Sequence, residues 1–173
     1  MDRKRDRYIY IHFLGVLILQ LVLSKILTFG PLLLIALYPI FIISLPPNFS
    51  TKKLLWWAFS IGVAVDLLSG NIIGLNSAAS LVLALFRNNI LRAFYTKGEV
   101  ISLSFINMRD LGVIRYNSYV ALSLLVHHLA LLLIESLTLS SFAHLLSRLA
   151  VSVLVNLAIV STIEYAIFYR RSA

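Results

Sequence analysis

Of the ionisable residues that interrupt apolar runs, six set the chemical question: Lys25, Asp66, His127, His128, Glu135 and Arg148. In an apolar setting such groups face protein or water, pair with one another, or mark a site. An intramembrane aspartyl protease needs two facing carboxylates, one a base and one holding a proton. Asp66, inside "AFSIGVAVDLLSGNIIGLNSAAS" (Ala58–Ser80), has no second intramembrane aspartate. The serines form no Ser–His–Asp set by spacing or motif. No Gly-rich phosphate loop leads into a lysine. His128 and Glu135 are seven residues apart and share a helix face. With His127 they raise the question of a metal site or a proton relay. Adjacent histidines of a regular helix cannot both point at one ion, and no third ligand presents itself. The expected role of His128 is therefore a bond to a neighbouring helix. No enzymatic activity, metal or cofactor is expected.

The remaining charges form two candidate pairs at similar depth. Lys25 and Asp66 lie near the ends of the first and third apolar segments. Glu135 and Arg148 lie across a short hairpin. One reading has these intramembrane pairs lock helices together. The other has them line a polar cavity that opens outward and binds something. Small residues add a third feature. Ala58, Gly62, Asp66, Gly70 and Gly74 recur every four residues, and Asn76 opens the next segment. Positions four apart form a stripe on a helix, and small side chains let helix backbones approach closely in lipid. The stripe serves either internal helix packing or a partner's helix.

These residues must be held by membrane helices. Hydrophobic residues make up 60% of the 173-residue chain and charged residues 13%, against about 45–50% and about 25% in soluble domains. The mean hydropathy is +0.93, so the surface itself must be apolar. The sequence contains no cysteine, which excludes disulfides and thiolate metal sites. The N-terminal apolar run exceeds the length of a secretory signal and lacks a small-residue cleavage site, so it reads as a retained span. Six segments approach the roughly 20 apolar residues of a membrane helix: 8–29, 31–47, 54–70, 74–95, 117–139 and 142–169. The second is short, contains Pro39 and ends at Pro46–Pro47. It is expected to tilt, kink or enter the membrane only partly. Thr96–Tyr116 is the one longer polar connection. The predicted fold class is an all-α polytopic membrane protein with about six transmembrane helices, residues 1–173 forming one domain.

Lys and Arg set the orientation. With the N-terminus in the cytoplasm, thirteen of the 15 Lys and Arg residues fall on the cytoplasmic side. Arg87 is counted among them, and only Lys25 and Arg148 lie toward the other side. Six spans then put both termini inside. The formal net charge of +8 gathers on that face, which suits anionic lipid head groups. No nucleic-acid motif accompanies it, so nucleic acid is not an expected partner.

Two stretches carry a resemblance: "GVAVDLLSGNIIGLNSAASLVLALFRNNIL" in the third and fourth segments, and "VHHLALLLIESLTLSSFAHLLSRLAVS" across the last hairpin. They resemble the rod shape-determining MreD family, the second stretch looking like its Bacteroidota branch. The resemblance implies a fold similar to the S-components of energy-coupling-factor transporters. It also implies a non-catalytic scaffold of the peptidoglycan elongation machinery in the bacterial inner membrane. The implied partners are MreC, RodA with its penicillin-binding transpeptidase and, indirectly, the MreB filament. Asp66, Gly70 and Gly74 match the family's spaced Asp–Gly–Gly element, which places function on the stripe. The S-component likeness leaves a small-molecule-binding transport subunit as the alternative.

Overall fold

Runs of Leu, Ile, Val and Ala broken only by short polar turns make long helices, and the computed structural model bears this out. It describes residues 3–26, 33–69, 72–100, 103–135 and 142–166. The described residues form helices α1 (Arg3–Ile26), α2 (Pro39–Ser44), α3 (Thr51–Ser69), α4 (Leu75–Phe94), α5 (Lys97–Val100), α6 (Met108–Leu111), α7 (Val113–Glu135) and α8 (Phe142–Glu164), with no strand among them. Among the described residues, three stretches are long and apolar enough to cross a membrane: Asp6–Ile26, Val113–Glu135 and Ala143–Glu164. Helix α3 carries three charges, Lys52, Lys53 and Asp66. Helix α4 buries polar residues, including Asn76, Ser77, Ser80 and Arg87.

The long helices follow one another in an arc, α1 on α3, α3 on α4, α4 on α7 and α7 on α8. The predicted second helical span is corrected by the structure. Residues 33–37 are neither helix nor strand, Pro39 opens the six-residue α2, and every residue from Ala36 to Pro46 is buried inside the arc. Proline is well placed at a helix start, where its missing N–H would have no helical partner. The segment runs from beside Gln20 of α1 to beside Arg87 of α4.

Backbone outside helices in an apolar bundle must find its hydrogen bonds on other elements. From α1, Gln20 donates through Nε2 to Ile35 O at 2.9 Å, and its Oε1 accepts from Leu37 N at 2.6 Å and Tyr38 N at 3.3 Å. From α8, Asn156 accepts from Ala36 N at 2.9 Å and donates to Leu34 O at 2.7 Å, while Ser152 Oγ accepts from Leu34 N at 3.0 Å. Past α2, the Arg87 guanidinium of α4 donates to the carbonyls of Ile43, Leu45 and Pro46, and Tyr119 Oη of α7 donates to Ile43 O. Ser44 O accepts from Ile106 N at 2.9 Å. The polar connection expected over Thr96–Tyr116 thus folds back onto the bundle, with Ile106 and Met108 buried. Its Glu99 accepts from Thr96 N, from Arg115 and from Thr96 Oγ1, which hold the carboxyl down to about 2.

Asn156→Leu removes the acceptor for Ala36 N–H and the donor for Leu34 O. Each buried group left unpaired costs about 1–3 kcal/mol. The melting temperature of the detergent-solubilised protein should fall clearly. Thr162→Val, at an exposed position of the same helix, should leave it unchanged. Equal stability of the two variants would mean that this amide does not hold the segment.

Candidate functional site

The site builds outward from Asp66, which is 1% exposed. Its carboxylate accepts five hydrogen bonds, from Gly74 N (3.0 Å), Asn76 N (3.0 Å), Asn76 Nδ2 (2.8 Å), Ser77 N (3.1 Å) and Ser77 Oγ (2.6 Å). These are the first backbone donors of α4 and two side chains beside them. A helix N-terminus has free N–H groups and a partial positive charge, so a carboxylate placed there needs no basic partner. The expected pairing of Asp66 with Lys25 is therefore corrected: no ion pair joins them. Gly74 is the N-cap of α4 and has φ 98°, a left-handed conformation that favours glycine.

The stripe of small residues is used inside the bundle. Ala58 and Gly62 are buried on α3. A Cβ added to Gly62 would lie 2.4 Å from Ser77 Cα, so α4 backbone rests directly on this glycine. Of the two readings, internal packing is the one Ala58 and Gly62 serve. Gly70 lies outside the described residues.

Asn76 extends the network. With Nδ2 on Asp66, its Oδ1 accepts from Tyr38 Oη at 2.9 Å. The tyrosine has one proton, so His127 Nε2, 2.7 Å away, donates to Tyr38 Oη. His128 faces the other way. Its Nδ1 lies 2.9 Å from Leu124 O and donates to it, and its Nε2 lies 3.2 Å from Asn156 Nδ2. His128 is thus bonded to α8, as expected from the sequence. The two adjacent imidazoles serve different elements, one the chain through Tyr38 and the other α8. The network joins α3, α4, the 33–38 segment, α7 and α8.

Above this polar layer, at the Lys25 end, lies a cavity of about 680 Å³. Gln20, Tyr38 and Asn76 contribute its polar lining, and Leu21, Leu34, Val65, Leu68 and Leu131 apolar lining. Glu135 and Arg148 meet there at 3.0 Å, joining α7 to α8 as the sequence predicts. Lys25 also lines it, exposed. So of the predicted site residues, Lys25, Asn76, Glu135 and Arg148 gather around one cavity. Asp66 and His128 stand behind it, in the network that holds its floor.

Sequence reasoning missed Gln20, Tyr38, Ser152 and Asn156, and it missed the buried role of Arg87. Arg87 is 0% exposed and holds the carbonyls of Ile43, Leu45 and Pro46. The one available signal was the polar residue within an otherwise apolar helical run, which Gln20 and Asn156 both are.

Gly62→Ala should force α3 from α4 and sharply lower the yield of folded protein, whereas Gly15→Ala, with open space around it, should not. Equal yields would mean that α3 and α4 are not in backbone contact at Gly62. Glu135→Arg should destabilise the protein by about 1–3 kcal/mol through loss of its partner. Adding Arg148→Glu should restore part of that in a thermal melt, and no restoration would mean that the two do not act as a pair. Comparison with known proteins returns no matching family, no matching curated protein and no matching solved structure.

Proposed function

We propose that this chain is a non-catalytic scaffold of the MreD type in the bacterial inner membrane, supporting peptidoglycan elongation and rod shape. The observation that carries the reading is the correspondence between resemblance and architecture. The stretch that resembles the family over the third and fourth segments is where Asp66 seizes the start of α4 and Gly62 takes its backbone. The second stretch contains the Glu135–Arg148 pair across the last hairpin. We read the path as six traverses of the membrane with both termini cytoplasmic. Segment 33–46 is the second traverse, and it is shielded from lipid. The exposed Lys52, Lys53, Arg92, Lys97 and Arg109 at the Arg92 end suit anionic lipid head groups on the cytoplasmic face. MreC is the expected direct partner. RodA, its transpeptidase and the MreB filament belong to the same assembly.

A second reading is favoured by the cavity at the Lys25 end. A volume of about 680 Å³ lies within the range of small-molecule sites, about 300–1,000 Å³. On this reading the chain binds a small ligand on the side away from the cytoplasm, as an S-component-like subunit does.

Tagged full-length protein captured in mild detergent should bring down MreC, and loss of the chain should turn rod-shaped cells round. Capture without any elongation protein, together with unchanged cell shape on its loss, would overturn the scaffold reading.

A further inference from the structure

The lining of the cavity at the Lys25 end is unbalanced in charge. Gln20 Oε1 takes two backbone N–H groups, Asn76 Oδ1 takes Tyr38 Oη, and Glu135 Oε1 takes Arg148. The Lys25 ammonium makes no ion pair among the described residues. Because Arg148 is paired with Glu135, Lys25 is also the uncompensated charge of the lining. A site with one spare positive charge accepts a ligand that brings one negative charge.

The walls specify the rest of the ligand. Leu21, Leu34, Val65, Leu68 and Leu131 give the cavity an apolar side. A strongly hydrated inorganic anion would lose water against these walls without compensation. An anion with an apolar body gains on both counts. Its charged end meets Lys25 and Arg148, and its body removes the leucines from water. Charge pairing is stronger in a partly enclosed site than in bulk water.

We propose that this cavity binds a small amphiphilic monoanion, a carboxylate or phosphate with an apolar body, recognised by Lys25 and Arg148. The inference rests on the second reading above and names the ligand chemistry that reading leaves open. Two sources supply such a molecule, a lipid head group entering from the bilayer or a soluble organic acid.

The test uses the purified full-length protein in a nonionic maltoside detergent. Its probes are dihexanoyl-phosphatidate, sodium benzoate and the zwitterionic dihexanoyl-phosphatidylcholine, with binding followed by thermal shift and titration calorimetry. Saturable binding of phosphatidate alone supports the proposal with a lipid source. Binding of benzoate as well supports it with a soluble source. In either case Lys25→Gln should weaken binding about tenfold, and added salt should weaken it further. Arg148→Gln alone would strand Glu135, so the double variant Glu135→Gln/Arg148→Gln, which removes both charges together, tests the guanidinium. It should keep the fold and lose affinity, while Gly15→Ala should match the wild type. Phosphatidylcholine binding as tightly as the anions, with Lys25→Gln unchanged, would overturn the anion inference and leave the ligand-binding reading standing. No saturable binding of any probe would overturn both.

Discussion

Backbone that is neither helix nor sheet cannot be left unpaired in an apolar bundle, and segment 33–46 imposes that constraint on every long helix except α3. Each unsatisfied N–H or C=O in such a place costs several kcal/mol. Helix α1 answers with Gln20, α8 with Ser152 and Asn156, α4 with Arg87 and α7 with Tyr119. His12 of α1 adds a bond to Ser44, 2.8 Å from Nε2 to Oγ. The serine proton is already directed to the carbonyl of Ile40, so the imidazole donates. These are the buried polar groups that look out of place in an apolar sequence. They are there because the segment they surround cannot satisfy itself.

The same segment lines the cavity. Leu34, Ile35 and Ala36 face it at the Lys25 end of the bundle. The polar side chains that hold the segment also face this space. Gln20, Tyr38 and Asn76 belong both to the clamp and to the cavity lining. Binding there and the integrity of the second segment are therefore physically linked.

Helices α3 and α4 are packed directly on one another. The Asp66 carboxylate and the bare backbone of Gly62 act on the same turn of α4, one through charge and hydrogen bonds and the other through contact distance. A partner helix has no access to Gly62 and Asp66, because α4 occupies that part of the stripe. If the chain serves as a scaffold, its partners meet other surfaces, and the stripe contributes by keeping the arc in shape.

Hydropathy alone determined the class of this protein and the positions of its long helices, because partition between water and lipid sums over residues in order. The short, proline-bearing second segment was legible as an anomaly for the same reason. The Glu135–Arg148 pair was legible too, since a short hairpin brings the end of one helix beside the start of the next. So was the outward bond of His128, because adjacent residues of one helix cannot share a target. Tertiary structure decided the rest. It gave Asp66 to the N-terminus of α4 instead of to Lys25, because the nearest free donors belong to the hairpin that follows it. It held residues 33–37 out of helix, because amides from α1 and α8, some 15 and 120 residues away in the chain, meet there. It buried Arg87 on carbonyls that no local pattern places beside it. Which polar group satisfies which depends on the elements that touch, and contact between distant elements is not written in the order of residues.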